Sequence, residues 1–284
     1  MEPRLQKALG QHHLVDARLC RPLVAFLRPA GERVLEIGPG GGVLTRELAA
    51  AGARVWGWEL DAAWAFALRT AWSSAGSPAT TGGRPRARAA GPELPPPALV
   101  VGDALAIPWQ RLPAPTLAAG NLPYGIATAL IARVLRHPER VPRAAFLVQQ
   151  EVADRLVAGP GGRDYGALSV LVAARAEVRL LGRVRAGSFR PPPKVDGAFV
   201  GFVPRPPPLP AAAMAGFEAT VRAAFAQRRK TLRNALGAAW GRPAAEEALA
   251  RAGIPPGARA EELSVSDFVR LTRAQDGTLR SAQR

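Results

Sequence analysis

The segment Arg33-Val34-Leu35-Glu36-Ile37-Gly38-Pro39-Gly40-Gly41-Gly42 constrains this chain more than any other. Val34 and Ile37 are β-branched and read as strand, whereas the glycines that follow favour neither a strand nor a helix. Apolar residues at helical spacing then run from Val43 to Ala51. Strand, glycine turn and helix in that order predict the first half of a βαβ unit. The pattern repeats: residues 54–58 read as a second strand closed by Glu59-Leu60-Asp61, and 62–72 as a second helix. Such units in series imply an α/β fold with a parallel sheet and right-handed crossovers.

Further strands are expected at 98–101, at 116–119 leading into Asn121, and at 144–149, with helices at 126–135 and 150–157. Apolar segments at 176–182 and 198–203 can complete the sheet. Residues 73–97, rich in Gly, Pro, Ser, Thr and Arg without periodicity, read as a surface insertion. Five prolines between 204 and 210 read as a stiff linker. Beyond it, 214–240, 244–252 and 266–274 show helical spacing and no strand signal. The expected organisation is therefore residues 1–204 as the α/β domain and 205–284 as a small all-helical one.

The glycine turn is of the form G-x-G-x-G, with Gly38, Gly40 and Gly42. A dinucleotide fingerprint needs a glycine where Val43 stands, which argues against a nicotinamide cofactor. A site for S-adenosylmethionine suits the turn better, because it must admit a nucleoside and an amino acid but no pyrophosphate. Glu59, at the carboxyl end of the second strand, can take both hydroxyls of a ribose; the plainer alternative is an acid favoured by a helix dipole. Asp103 ends the third strand and can accept from an adenine amine, or simply cap a helix.

Asn121-Leu122-Pro123-Tyr124 points to the second substrate. An Asn side-chain oxygen and the next carbonyl can accept both hydrogens of a planar amine. The proline fixes φ, and the aromatic offers a face on which an extruded base stacks. A polar turn after a strand is the bland alternative. The formal net charge of +16 favours a polyanionic partner. Only three of the 38 basic residues are lysine, and abundant Arg, Ala, Gly and Pro mark a GC-rich genome, so charge alone is partial support. The excess is spread over both parts, 25 basic against 15 acidic residues up to 204 and 13 against 7 beyond. The densest basic run is Phe225 to Asn234. Read as helix, it turns Phe225, Leu232 and Leu236 to a core and leaves Arg228, Arg229 and Arg233 wet, either to contact phosphates or as a solvated face.

No apolar run approaches the roughly 20 residues of a membrane helix, and the first 14 residues carry charges without an apolar h-region. A single cysteine, Cys20, excludes an internal disulfide and fits a reducing cytoplasm. One Cys with His12, His13 and His137 argues against a zinc site, and no metal is expected.

These motifs together resemble those of the KsgA/RsmA-type small-subunit ribosomal RNA adenine N6,N6-dimethyltransferases. The resemblance spans nearly the whole chain: Leu9-Gly10-Gln11-His12, Leu35-Glu36-Ile37-Gly38-Pro39-Gly40, Glu59-Leu60-Asp61, Gly102-Asp103-Ala104, Gly120-Asn121-Leu122-Pro123-Tyr124 and Tyr165-Gly166-Ala167-Leu168-Ser169. Its most specific parts are Phe189-Arg190-Pro191-Pro192-Pro193-Lys194-Val195-Asp196 and Arg228-Arg229-Lys230-Thr231-Leu232-Arg233-Asn234. Phe is usual where His13 stands, and Ser where Gly197 stands.

The resemblance implies a Rossmann-like methyltransferase domain followed by a helical domain. It implies S-adenosylmethionine as cofactor, bound by Gln11, His12, Leu14, Gly38, Gly40, Glu59, Leu60, Asp103, Ala104 and Asn121. Asn121, Leu122, Tyr124 and Phe189 would hold the flipped adenine, and Arg228, Arg229, Lys230 and Arg233 the RNA. The implied substrate is a pair of adjacent adenosines near the 3′ end of small-subunit rRNA in an immature subunit, modified by a cytoplasmic monomer. Two alternatives stand beside it: a large-subunit rRNA adenine methyltransferase, and an assembly or nucleic-acid-binding factor of the same fold.

Overall fold

A computed structural model describes residues 3, 12–75, 96–227 and 229–282 of the chain. Gln11, Arg228 and residues 76–95 of the expected insertion lie outside the described residues. In chain order the elements are β1 (His13–Leu14), α1 (Arg21–Leu27), β2 (Arg33–Ile37), α2 (Val43–Ala50), β3 (Arg54–Glu59), α3 (Ala62–Ala75), β4 (Ala98–Val101), β5 (Leu117–Asn121), α4 (Ala127–Val134), β6 (Ala144–Gln149), α5 (Gln150–Val157), α6 (Ala167–Ala173), β7 (Ala176–Val184), β8 (Phe189–Arg190), β9 (Gly197–Pro204), α7 (Ala211–Phe225), α8 (Leu232–Trp240), α9 (Arg242–Ala252) and α10 (Val265–Ala282).

The chain divides into two compact units, Met1–Ala153 with Arg179–Pro204, and Asp154–Val178 with Arg205–Arg284. The second unit thus takes in 154–178, which a boundary drawn at the proline linker leaves with the first. Tyr165 gives the reason. It is 2% exposed, its hydroxyl donates to the Leu263 carbonyl at 2.8 Å, and its ring meets Phe225, which in turn meets Phe268. Val170 and Ala174 join Phe217, Val221, Leu236, Leu249 and Leu271 in the same helical core. A linker marks where the chain is stiff. It does not mark where apolar side chains are buried.

The first unit carries a seven-stranded sheet of order β4-β3-β2-β5-β6-β9-β7. β4, β3, β2, β5 and β6 run parallel, and β9 pairs antiparallel with β6. From β2 the chain winds outward to β3 and β4, then returns to β5 and winds the other way. The ends of β2 and β5 therefore diverge into opposite crossovers, and a crevice opens beyond their carboxyl ends. Gly120 lets these two strands close up there. A Cβ on it would lie 2.5 Å from the Ile37 carbonyl oxygen, so any side chain would force β2 and β5 apart. One face of the sheet is covered by α1 and α2, whose Leu23, Leu27, Leu44 and Leu48 are all buried with Val55, Leu117 and Phe199. Each such side chain contributes roughly 1.5–3 kcal/mol relative to exposure.

In the second unit the expected helix at 214–240 is two helices. α7 ends at Phe225, and α8 starts at Leu232 after an extended Thr231. The Leu232 and Arg233 amides donate to the carbonyls of Ala258 and Pro256. Residues from a distant loop satisfy the helix start, an arrangement that helical spacing alone does not reveal. Of the basic run, Phe225 ends α7 and Leu232 to Asn234 begin α8, while residues 226–227 and 229–231 lie between the helices. Arg229 and Lys230 are exposed, but Arg233 is half-buried with its Nε enclosed and without a hydrogen bond. The expectation that Arg233 stays wet is corrected.

Candidate active site

An open cleft lies in the first unit at the crevice beyond β2 and β5, the place where ligands bind in open parallel sheets. Gly38 and Gly40 from the turn, Trp58 and Glu59 at the end of β3 with Leu60 after it, Asp103 and Ala104 after β4, and Asn121 at the end of β5 with Leu122, Pro123 and Tyr124 after it all line it, with His12 and His13. The sheet order brings together segments more than a hundred residues apart in sequence.

Glu59 organises the cofactor side. Its carboxylate is 6% exposed, and Oε2 accepts the Gly40 amide at 2.9 Å while Oε1 accepts the Asp61 amide at 3.0 Å. Burial raises its pKa, and the amides of Asp61 and Gly40 oppose that by stabilising the charged form. A carboxylate has about four lone-pair sites. One holds the glycine turn through Gly40 and one the Asp61 amide, which leaves lone pairs for a ligand in the cleft. Asp61 caps α3 in its own right, its Oδ1 accepting the Ala63 amide at 2.9 Å. Gly40 has φ +49°, and a Cβ on it would sit 2.9 Å from His13 Nε2. The turn thus has no room for a side chain at its closest approach to the cleft.

Asp103 acts as a cap and also lines the cleft. Its Oδ1 accepts the Leu105 amide at 2.8 Å, capping a short helical turn. The residue missed by sequence reasoning is Trp58. Its indole lines the cleft and donates to the Asp103 carbonyl at 3.1 Å, over Gly102. Its place beside Glu59 at the carboxyl end of a strand was the available signal.

On the other side, Asn121 is half-buried, and its Nδ2 donates to the His12 carbonyl at 2.7 Å. A carbonyl can only accept, so the amide is turned with Oδ1 as its remaining acceptor. Leu122 is 1% exposed and donates its amide to the Leu147 carbonyl at 3.0 Å. Tyr124 stacks on His12 with centroids 5.6 Å apart and planes at 23°, and its enclosed hydroxyl has no hydrogen bond.

Two residues expected at the site do not line the cleft. Phe189 is 3% exposed in the core among Leu14, Leu147 and Phe199, and does not line the cleft. An aromatic two residues before three prolines looks exposed in sequence, but the β1–β8 ladder pairs it with Leu14 and turns it inward. Leu14, also expected at the cofactor, is likewise buried in that core. His13, where Phe is usual, sets its ring edge-on to Trp64 at 4.4 Å. Cys20 is fully buried, and burial with nearby carboxylates pushes its thiol up to about 12. Among the described residues no group of three or more His, Cys, Asp or Glu side chains could hold a metal ion, and no helix is long and apolar enough to cross a membrane.

Glu36 sits behind the turn, 1% exposed, with one carboxyl oxygen lacking a hydrogen bond. Burial raises its pKa to about 8; the Thr45 hydroxyl opposes this, though it makes no well-formed hydrogen bond, and Glu59 adds to it. The folded state therefore keeps a proton that the unfolded chain releases in the ordinary carboxylate range. Stability attributable to this group is full below that range and drains away as pH rises towards 8. Wild-type stability is expected to fall across this window relative to Glu36→Gln, by up to about 1.4 kcal/mol per pH unit. Denaturant melts of both proteins from pH 5 to 8 check this, and parallel curves would refute it.

A sequence model of the family described as ribosomal RNA adenine dimethylase matches residues 109–276. The chain is 40% identical over 282 residues to a protein named ribosomal RNA small subunit methyltransferase A from Kineococcus radiotolerans, spanning 98% of this chain and 89% of the relative. Identity to the protein of that name from Streptomyces coelicolor is 42% over 272 residues, 94% and 90% of the two chains. Among solved structures, a dimethyladenosine transferase from Plasmodium falciparum aligns with a TM-score of 0.73 at 20% identity over 94% of this chain and 98% of that one, a likeness of fold. The 23S rRNA methyltransferase ErmE aligns with a TM-score of 0.64 at 28% identity over 97% and 100%.

Proposed function

This chain belongs to the ribosomal RNA adenine dimethylase family, and on that premise we propose that it transfers methyl groups from S-adenosylmethionine to N6 of two adjacent adenosines near the 3′ end of small-subunit rRNA, in an immature subunit. The observation that carries the reading is the oriented Asn121 amide, with Oδ1 as its remaining acceptor, in the same cleft as the Glu59–Gly40 clamp. The relatives at about 40% identity bear the small-subunit name, which favours that RNA over the one named for ErmE.

The residues present fit the cofactor. Glu59 has lone pairs left for a ribose, Asp103 and Leu60 flank the neighbouring wall, and Gly38 and Gly40 leave the turn bare. S-adenosylmethionine, when bound, supplies an electrophilic methyl group. The rest is the protein's work. The N6 lone pair of adenine is delocalised into the ring. Asn121 Oδ1 and the Leu122 carbonyl, accepting the two N–H bonds, favour a pyramidal nitrogen whose lone pair is localised. Tyr124 supplies a face to hold the extruded base. Catalysis then rests on positioning and fixed dipoles, and no strong base is required. The deciding experiment incubates the protein and labelled cofactor with undermethylated small subunits, with large subunits in parallel, and maps the modified nucleotides. Label confined to large-subunit RNA, or absent from both, would overturn the reading.

The helical unit is proposed to hold RNA phosphates through Arg229, Lys230 and Arg228, the last outside the described residues. An internal role for this cluster has lost two of its acceptors: Glu246 pairs with Arg242 at 3.2 Å and Glu247 with Arg251 at 2.5 Å. Replacing Arg229 and Lys230 with Gln should weaken subunit binding and lower the slope of log affinity against log salt by about 0.7–0.9 per contact. Cofactor affinity should stay unchanged. A double variant that melts earlier with an unaltered salt slope would assign these residues to the fold instead.

A further inference from the structure

Trp58 is bonded to two of the loops that line the cleft. Its main-chain carbonyl accepts the Gly38 amide at 2.9 Å, at the start of the glycine turn. Its indole Nε1 donates to the Asp103 carbonyl at 3.1 Å, in the turn that follows β4. That second turn sits at the margin of the sheet. β4 is an edge strand, pairs with β3 through four residues, and has Val100 and Val101 exposed. The Gly102 amide ties the turn back to the Glu59 carbonyl at 2.9 Å. Two further bonds are internal to the turn: Asp103 Oδ1 accepts the Leu105 amide, and the Asp103 carbonyl accepts the Ala106 amide. The indole therefore ties the peptide that carries Asp103 to the sheet. It also needs a bare backbone beneath it. A Cβ on Gly102 would lie 3.2 Å from the indole Nε1 and 3.4 Å from two of its ring carbons. An indole has one donor and no acceptor, and Trp58, half-buried, uses that donor at residue 103.

We infer that Trp58 is a positioning residue for recognition of the cofactor's nucleobase: its indole fixes the Asp103 peptide, and with it the carboxylate that accepts the exocyclic amine of the adenine. This rests on the reading of the cleft as an S-adenosylmethionine site with Asp103 at the adenine. Asp103 is exposed and stands on a turn. Its Oδ1 is engaged by the Leu105 amide, which leaves Oδ2 for the base. A site built to accept a ligand's N–H rejects an analogue lacking it, because its own polar group is then left unpaired. That selectivity requires the acceptor to be held in place before the ligand arrives. Loosening the turn should therefore cost discrimination at the amine, while the ribose, held from Glu59 on the other strand end, is unaffected. The plain alternative is that the ring only covers the margin of the sheet, in which case its loss alters stability and leaves selectivity alone.

Trp58→Phe keeps an aromatic ring over Gly102 and removes the donor. The probes are S-adenosylhomocysteine and its deaminated form, S-inosylhomocysteine, which has a carbonyl where the amine stands. Calorimetric titration of both into wild type and variant needs no RNA and no methyl transfer. Trp58→Phe should bind S-adenosylhomocysteine about fivefold more weakly, as for the loss of one neutral hydrogen bond, and the deaminated form with an unchanged constant. The ratio of the two constants therefore falls by the same factor. In an Asp103→Ala background the replacement should move the ratio no further, since both changes act on one acceptor. Gly102→Ala, which leaves both side chains in place and crowds the indole, should lower the ratio in the same direction as Trp58→Phe. An unchanged ratio in both Trp58→Phe and Gly102→Ala would overturn the inference, as would a fall of equal size with and without the Asp103 carboxylate. A wild type that binds the two probes equally would take Asp103 off the amine and this inference with it, even if the protein methylates small-subunit rRNA as proposed. A wild type that binds neither probe would instead sink the reading of the cleft as an S-adenosylmethionine site.

Discussion

Asn121→Ala is expected to abolish methyl transfer while the protein keeps its melting temperature within a few degrees. The amide is held by the His12 carbonyl at 2.7 Å and is only half-buried, so removing it leaves one backbone acceptor that water can reach. The catalytic cost is larger. An acceptor already turned towards the reacting group needs no reorganisation as charge shifts at the nitrogen, and losing such a group costs about 2.7–4 kcal/mol, a factor of 10² to 10³ in rate. Asn121→Asp separates charge from placement: it keeps an oxygen there but loses the donor to His12. Single-turnover assays with saturating cofactor measure the chemical step. A variant retaining more than about a tenth of the wild-type rate would remove Asn121 from the proposed role.

Glu59→Ala is expected to raise the dissociation constant for S-adenosylmethionine at least 100-fold and to leave affinity for small subunits unchanged. The effect has two parts. Charge-assisted hydrogen bonds to two hydroxyls are worth roughly 1.5–3 kcal/mol each. The same carboxylate also accepts the amides of Gly40 and Asp61, so its loss loosens the turn that the ligand approaches. Glu59→Gln should be nearly as damaging, because an amide nitrogen would face one of those N–H groups. Only the ionised form accepts all four hydrogen bonds. Since burial raises the Glu59 pKa, cofactor affinity should start to fall at a higher pH than for an ordinary carboxylate as the solution is acidified. Calorimetric titrations of wild type and both variants decide the matter, and an unchanged constant in Glu59→Ala would take the residue out of the site.

Much of this was written locally. Apolar runs and glycines at the ends of β2, β3, β4 and β5 put Gly38, Gly40, Glu59, Asp103 and Asn121 at strand ends in the sequence alone, because a parallel strand buried on both faces reads as an unbroken apolar stretch and its polar terminus stands out. Glu36 was legible as an anomaly, a carboxyl inside the run Val34-Leu35-Glu36-Ile37, but its surroundings were not. What the chain could not state by itself were distances between segments far apart in sequence. The bond from His12 to Pro191 spans 179 residues and the Asn121–His12 bond 109. Both exist because the order β4-β3-β2-β5-β6-β9-β7 and the β1–β8 ladder fold those segments onto one crevice.

The same division explains where the other expected residues lie. Phe189 and Leu14 carry the right motif letters, yet the ladder pairs them and buries both in the core. Arg233 lies in the basic run, yet the Ala258 and Pro256 carbonyls that start α8 break the helix on which it was to be exposed. Composition and periodicity decided which residues are strand, helix and glycine turn, and so which chemistry reaches the sheet edge, since those preferences act over a few neighbouring residues. Tertiary structure decided which side chains face the cleft and which face the core, because that choice is made by burial and pairing partners contributed from elsewhere in the chain.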